Sequence, residues 1–171
     1  NQHTVDKLED PNSTGLELNQ DIFIDSSGKI TLFNHRPEMG QGTFQSIPMI
    51  LAEELEVAID KVEIIQAPAD RKKYGDQMVV GSASIQRQFA PLRKIGAAAR
   101  EMLVQAAANQ WKVNASECYA EDAAVIHRTS GNKLSYAVLV ETAAKLEAPQ
   151  NPTLKRPADF KIIGKSVPRR D

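Results

Sequence analysis

The chain has 171 residues, 42% of them apolar and 25% charged, with a formal net charge of −1. That is one domain or two small ones, long enough to bury a core and too ordinary in composition for disorder or low complexity. The balanced charge lacks the basic excess of a nucleic-acid module, no apolar run reaches the roughly 18 residues of a membrane span, and the single cysteine, Cys118, excludes an intrachain disulfide or a cysteine metal cluster.

Residues 1–18 are polar, with Pro11 and Gly15, and read as a loose lead-in. Asp21–Asp25 and Lys29–Asn34 alternate as two strands around Ser26-Ser27-Gly28, which predicts a β-hairpin. Pro37, Gly40 and Gly42 then break regular structure over His35–Gly42. From Thr43 to Val57 the period becomes helical: Ile47, Leu51 and Leu55 share a stripe, and Glu53-Glu54 reads as an exposed face. Pro48 must sit in the first turn or kink this helix. Lys61–Ala67 reads as a strand, and residues 68–80 as a loop carrying the basic trio Arg71-Lys72-Lys73. After Gly81-Ser82-Ala83-Ser84, a long helical pattern from Ile85 to Trp111 contains Pro91, which is expected to split or bend it. One or two short strands follow over 117–127, then a turn at 128–132, and a helix capped by Ser135 runs to about Leu146. Residues 148–171 hold Pro149, Pro152, Pro157 and Pro168 and read as extended. The order is ββαβα with a small ββα tail, an α/β or α+β layer structure. Asn1 is not Met, and no element closes at Arg169-Arg170-Asp171, so the chain reads as a piece of a longer protein.

Two loops carry the best chemistry. Gly40-Gln41-Gly42 leads into the first helix, and Gly81-Ser82-Ala83-Ser84 into the long one. Glycines allow close backbone approach, and helix starts offer unpaired N–H groups and the positive dipole end to an anion. Two such loops on adjacent helix starts could face one ligand, although ordinary turns and caps are the commoner use of such loops. Neither loop has the spacing of a nucleotide-binding fingerprint. His3, His35 and His127 lack metal-ligand spacing, Glu38 reads as a loop hydrogen-bonding group, and Cys118 as an inert buried thiol.

Pro37-Glu38-Met39-Gly40-Gln41-Gly42-Thr43, continuing through Ile47-Pro48-Met49-Ile50-Leu51-Ala52-Glu53-Glu54-Leu55, resembles the E-M-G-Q-G segment of the molybdenum hydroxylases, the xanthine dehydrogenase and aldehyde oxidase superfamily. Gln66-Ala67-Pro68-Ala69, Gly81-Ser82-Ala83-Ser84 and Leu92–Leu103 follow in order. With Leu154-Lys155-Arg156-Pro157 and Phe160–Lys165, residues 19–171 resemble the N-terminal molybdopterin-binding segment of the isoquinoline 1-oxidoreductase β-subunit type, 148–171 leading toward the next domain.

The resemblance implies a molybdopterin cofactor, in bacteria often the cytosine dinucleotide, held partly by Met39, Gly40, Gln41, Gly81, Ser82, Ala83 and Ser84. It implies hydroxylation of an N-heterocycle or aldehyde with oxygen from water, a small subunit with two [2Fe–2S] clusters, and a periplasmic or envelope location, cytoplasm being the alternative. The molybdenum would be held by the cofactor's own sulfurs, and the catalytic Glu lies downstream, so the isolated segment is expected to be inactive and without bound cofactor. The rival reading is a non-catalytic assembly or docking module of the same fold.

Overall fold

The computed structural model describes residues 15–170. Most of the lead-in, and His3 with it, lies outside the described residues. The rest of that stretch forms strand β1, Gly15–Asn19, antiparallel to β2, Ile22–Asp25. The hairpin continues into β3, Ile30–Asn34. Its turn is closed by the Asp25 carboxylate, which accepts from the N–H groups of Ser27 and Lys29 and from the Ser27 hydroxyl.

Strand β3 is followed by helix α1, Thr43–Leu55, and then by β4, Val62–Gln66, parallel to β3. A parallel pair needs such a crossover. The four-stranded sheet has the order β1-β2-β3-β4. Every residue of β3 is buried because both faces are covered. Ile30 and Leu32 pack into the main core, while Phe33 on the other face joins Ile65, Ala67 and Tyr74. Tyr74 belongs to a short helix α2, Arg71–Tyr74, within the stretch read as loop.

Helix α3, Ser84–Trp111, packs along α1 and runs unbroken through Pro91. Packing overrides the expected split: Leu92, Gly96, Ala97, Ala99 and Leu103, directly beyond the proline, are buried. Pro48 falls in the second turn of α1 and not the first, and the helix continues past it. A second sheet contains β5 (Cys118–Glu121), β6 (Ala124–His127) and β7 (Lys133–Ser135), the last a strand absent from the sequence reading. Helix α4, Tyr136–Ala143, follows, with Ser135 at its N-cap position but no capping bond from the hydroxyl. The Tyr136 hydroxyl donates to the Leu55 carbonyl at 2.6 Å and so ties α4 to the end of α1. The architecture is the expected α/β mixture of helices with two small sheets.

The α1–α3 contact depends on Gly96. A Cβ there would lie 2.9 Å from both the Glu54 Cβ and the Leu51 carbonyl oxygen. Such distances are too short for carbon, so only glycine lets the helices approach this closely.

Glu53 and Glu54 are not an exposed face; their exposures are 1% and 0%. Glu54 accepts from Arg93 Nε at 2.8 Å and Arg100 Nη1 at 3.1 Å, both on α3, and from the Lys155 N–H. Glu53 pairs with the Lys155 ammonium and accepts the N–H groups of Lys161, Ile162 and Ile163 at 2.9, 2.6 and 2.9 Å. Residues 153–170 thus form a strap across α1. The strap closes where the Gln45 amide donates to the Pro168 carbonyl and accepts the Arg170 N–H, both at 2.9 Å.

Burial works to raise the Glu53 pKa, but the Lys155 ammonium and the three strap N–H groups outweigh it and hold the carboxyl below its ordinary value of 4.5. A depressed folded-state pKa gives stability that is present above the unfolded value and is lost as pH falls through the folded one. Amide protection at Lys161–Ile163, corrected for intrinsic rates, is therefore expected to fall below a pH of about 4.5 before protection at Leu51 does. Retention of strap protection to the point of global unfolding would contradict this. Gly96→Ala is expected to cost about 1–3 kcal/mol through overpacking, read as a lower denaturant midpoint; an unchanged midpoint would show that the helices separate freely.

Candidate cofactor-binding site

The first loop holds its own shape. The Glu38 carboxylate accepts the N–H groups of Gly40 at 2.6 Å, Gly42 at 3.0 Å and Phe44 at 2.7 Å, with the Thr43 hydroxyl at 3.3 Å. These bonds, the one from Phe44 foremost, hold the carboxyl below its usual range. Gln41 also folds inward: Oε1 accepts the Met39 N–H, and Nε2 donates to the Pro37 carbonyl and the Thr43 hydroxyl. Gly42, the N-cap of α1, has φ 85°, a left-handed conformation suited to glycine. The anion cradle expected at this helix start is thus filled by the protein's own carboxylate. What the loop leaves open is the Gln41 backbone N–H, which has no partner among the described residues, and the Met39 side chain, 71% exposed.

The second loop is the opposite case. Gly81 and Ser82 both have positive φ, and Ala83, the N-cap of α3, offers no side-chain cap. Among the described residues, no partner is found for the N–H groups of Ser84, Ile85 and Gln86 or for the Ser82 and Ser84 hydroxyls. The first turn carries no acidic residue, and Arg87 follows it. Free N–H groups at the positive end of a 28-residue helix, with two hydroxyls beside them, suit an anion.

The segments flanking the two loops meet. Arg36 Nη1 donates to the Met78 carbonyl, and His35 Nε2 lies 3.3 Å from Gln88 Oε1 on α3. Met39, Met78, Val80 and Ile85 are exposed apolar groups around the two loops. Beside the first loop lies a groove of about 430 Å³ walled by Pro37, Glu38, Phe44, Gln66, Ala67, Ala69 and Gln77. The larger cavity, about 880 Å³, lies under the strap beside Glu53, Glu56, Ile59 and Val167, and none of the seven candidate residues lines it.

The remaining candidates stay apart from these loops. Burial pushes the Cys118 thiol up, in keeping with an inert group. His127 Nδ1 meets the Ser130 hydroxyl at 2.7 Å in the β6–β7 turn. Arg71 and Lys72 are exposed, and Lys73 pairs with Glu17. Among the described residues no group of three or more His, Cys, Asp or Glu could hold a metal ion, and no helix is long and apolar enough to cross a membrane.

The family model of the molybdopterin cofactor-binding domain matches residues 9–168. The chain belongs to this family. This molybdopterin cofactor-binding domain is 32% identical over 156 residues to one subunit of the nicotinate dehydrogenase of Pseudomonas putida, covering 91% of the chain and 13% of that protein. It is 28% identical over 200 residues to the β-subunit of isoquinoline 1-oxidoreductase from Brevundimonas diminuta, covering 94% of the chain and 26% of that protein. The domain therefore spans a minor part of both relatives. Among solved structures, the Cu,Mo-CO dehydrogenase in its carbon monoxide reduced state superposes with a TM-score of 0.51 at 22% identity, covering 69% of this chain and 15% of that one. At that identity the likeness concerns the fold.

The donor set fits a cofactor that carries phosphate: the open amides and hydroxyls at the start of α3 are hydrogen-bond donors without acceptors among the described residues. Asp21 and Arg36 are outside the sequence-based candidates and His35 is weighed there only as a possible metal ligand, whereas the reading of Glu38 as a loop hydrogen-bonding group holds. Glu38→Ala is expected to speed amide exchange at Gly40, Gly42 and Phe44 while leaving Leu51 and Leu55 unchanged; unchanged exchange at the three loop amides would contradict the capping role.

Proposed function

We propose that this domain supplies part of the molybdopterin site of a molybdenum hydroxylase large subunit, with the start of α3 holding a cofactor phosphate. The open donors of Ser82, Ser84, Ile85 and Gln86 carry this reading. Gly81 and Ala83 shape that loop. Met39, Gly40 and Gln41 present a self-supporting rim to the cofactor through the Met39 side chain and the Gln41 N–H.

The finer reading is the cytosine dinucleotide form of the cofactor. The names of both curated relatives are those of oxidoreductases, one for nicotinate and one for isoquinoline, which supports an electron-poor N-heterocycle as substrate, an aldehyde being the alternative. The bound cofactor would supply hydroxylation with oxygen from water. The residues of this chain bind and orient it, and the general base lies outside the segment. A small [2Fe–2S] subunit would take the electrons, and the location proposed is the periplasm or envelope. The isolated segment would be inactive and cofactor-free.

The test is molybdenum and released CMP on the full-length parent, co-expressed with its iron–sulfur partner. About one molybdenum and one CMP per subunit are expected. The Ser82→Ala/Ser84→Ala double variant should lose most of both, and Gln41→Ala, whose side chain is turned inward, should lose less. A parent empty of molybdenum, in a host that loads a control enzyme, would favour the assembly-module reading. That reading draws on the first loop, which keeps its shape through Glu38 without any ligand.

A further inference from the structure

Adjoining the first loop in sequence and packed against α3 lies a buried polar cluster. Asp21, His35 and Arg36 are 0%, 5% and 4% exposed. Both Asp21 carboxylate oxygens, His35 Nδ1 and Arg36 Nε are buried and, among the described residues, have no partner at hydrogen-bonding geometry. Such groups are few in native folds, and several in one place call for an explanation.

The geometry is that of a relay. Asp21 sits in the β1–β2 turn with its backbone fixed on both sides: its N–H donates to Asn19 Oδ1, and its carbonyl accepts the Phe33 N–H. Its Oδ1 lies 3.5 Å from His35 Nδ1. On the far side of the ring, Nε2 lies 3.3 Å from Gln88 Oε1. His35 immediately precedes the first loop, and Gln88 lies in the second turn of α3, just past the open helix start. Beside His35, Arg36 reaches the Met78 carbonyl ahead of the second loop. A buried carboxylate facing a ring nitrogen selects the tautomer with hydrogen on that nitrogen and fixes the ring plane. The Gln88 amide can turn to meet either state of the far nitrogen.

We propose that Asp21, His35 and Gln88 are positioning residues: a relay from the β1–β2 turn through the imidazole to α3 that sets the open donors of the second loop against the rim formed by the first. The relay's purpose rests on the cofactor reading above; its existence does not.

The test is made on the 171-residue chain by ring-nitrogen NMR of His35 and by amide exchange. The wild type should show hydrogen on Nδ1, and Asp21→Asn should abolish that preference. Gln88→Leu, at a half-buried position, should speed exchange at Arg87, Gln88 and Phe89 by about tenfold while Leu51 and Leu103 stay within about twofold. Gln88→Glu, which has no donor for the unprotonated Nε2, should not restore the wild-type rates. If Asp21→Asn fails to fold, the Gln88 pair carries the test alone. An equal rise at all amides, no change with Gln88→Leu, or full rescue by Gln88→Glu would overturn the relay. Molybdenum content of the parent carrying Gln88→Leu is read separately. Content below that of the unsubstituted parent supports the positioning role, and unchanged content refutes it. An unsubstituted parent that never loads molybdenum sinks the cofactor reading, while the exchange data still decide the relay.

Discussion

Two adjacent carboxylates in the last turns of α1 hold the molecule together. Removing a charge from water costs several kcal/mol even after relaxation, of order 5. Glu53 and Glu54 bear that cost side by side, at 1% and 0% exposure. What offsets it is supplied from two directions. Arg93 and Arg100 reach Glu54 from α3, and the strap gives Glu53 the Lys155 ammonium and three consecutive backbone N–H groups. Glu54 is satisfied only with both α3 and the strap in place, and Glu53 only with the strap. The Pro-rich closing stretch is therefore part of the fold, and Gly96, by letting Glu54 and α3 come within contact, is a condition of the same arrangement.

This clamp sits at one end of α1 and the candidate site at the other. The two helix starts there share a sequence character, small residues ahead of a helix, but differ in chemistry. At α1 the cradle is filled by Glu38; at α3 it is open. A loop that holds its own shape is joined, through its flanking segments, to a donor set without an acceptor among the described residues. That division of labour suits a site where one element supplies shape and the other supplies charge complementarity, and it gives the family assignment a physical basis in this chain's own residues.

The sequence made much of this legible. The four-residue recurrence of Ile47, Leu51 and Leu55 found α1, and Ser26-Ser27-Gly28 found the hairpin turn. The residues that misled did so for identifiable reasons. Glu53 and Glu54 look like solvent-facing acids in any local window, because their partners lie as far as 108 to 110 residues away. Pro91 looks like a break because local rules cannot see the buried face beyond it. Strand β1 was visible as the alternation Leu16-Glu17-Leu18, outweighed by its polar surroundings, and β7 is three residues long, too short for a period to show. The Asp21–His35–Gln88 contacts join three separate elements, so no spacing in the chain announces them.

The most direct measurement is an experimental structure of the cofactor-loaded parent protein. A cofactor phosphate is expected within hydrogen-bonding distance of the N–H groups of Ser84, Ile85 or Gln86, with Glu38 still bonded to Gly40, Gly42 and Phe44. A phosphate that displaces Glu38 from the start of α1, or one bound away from both loops, would contradict it.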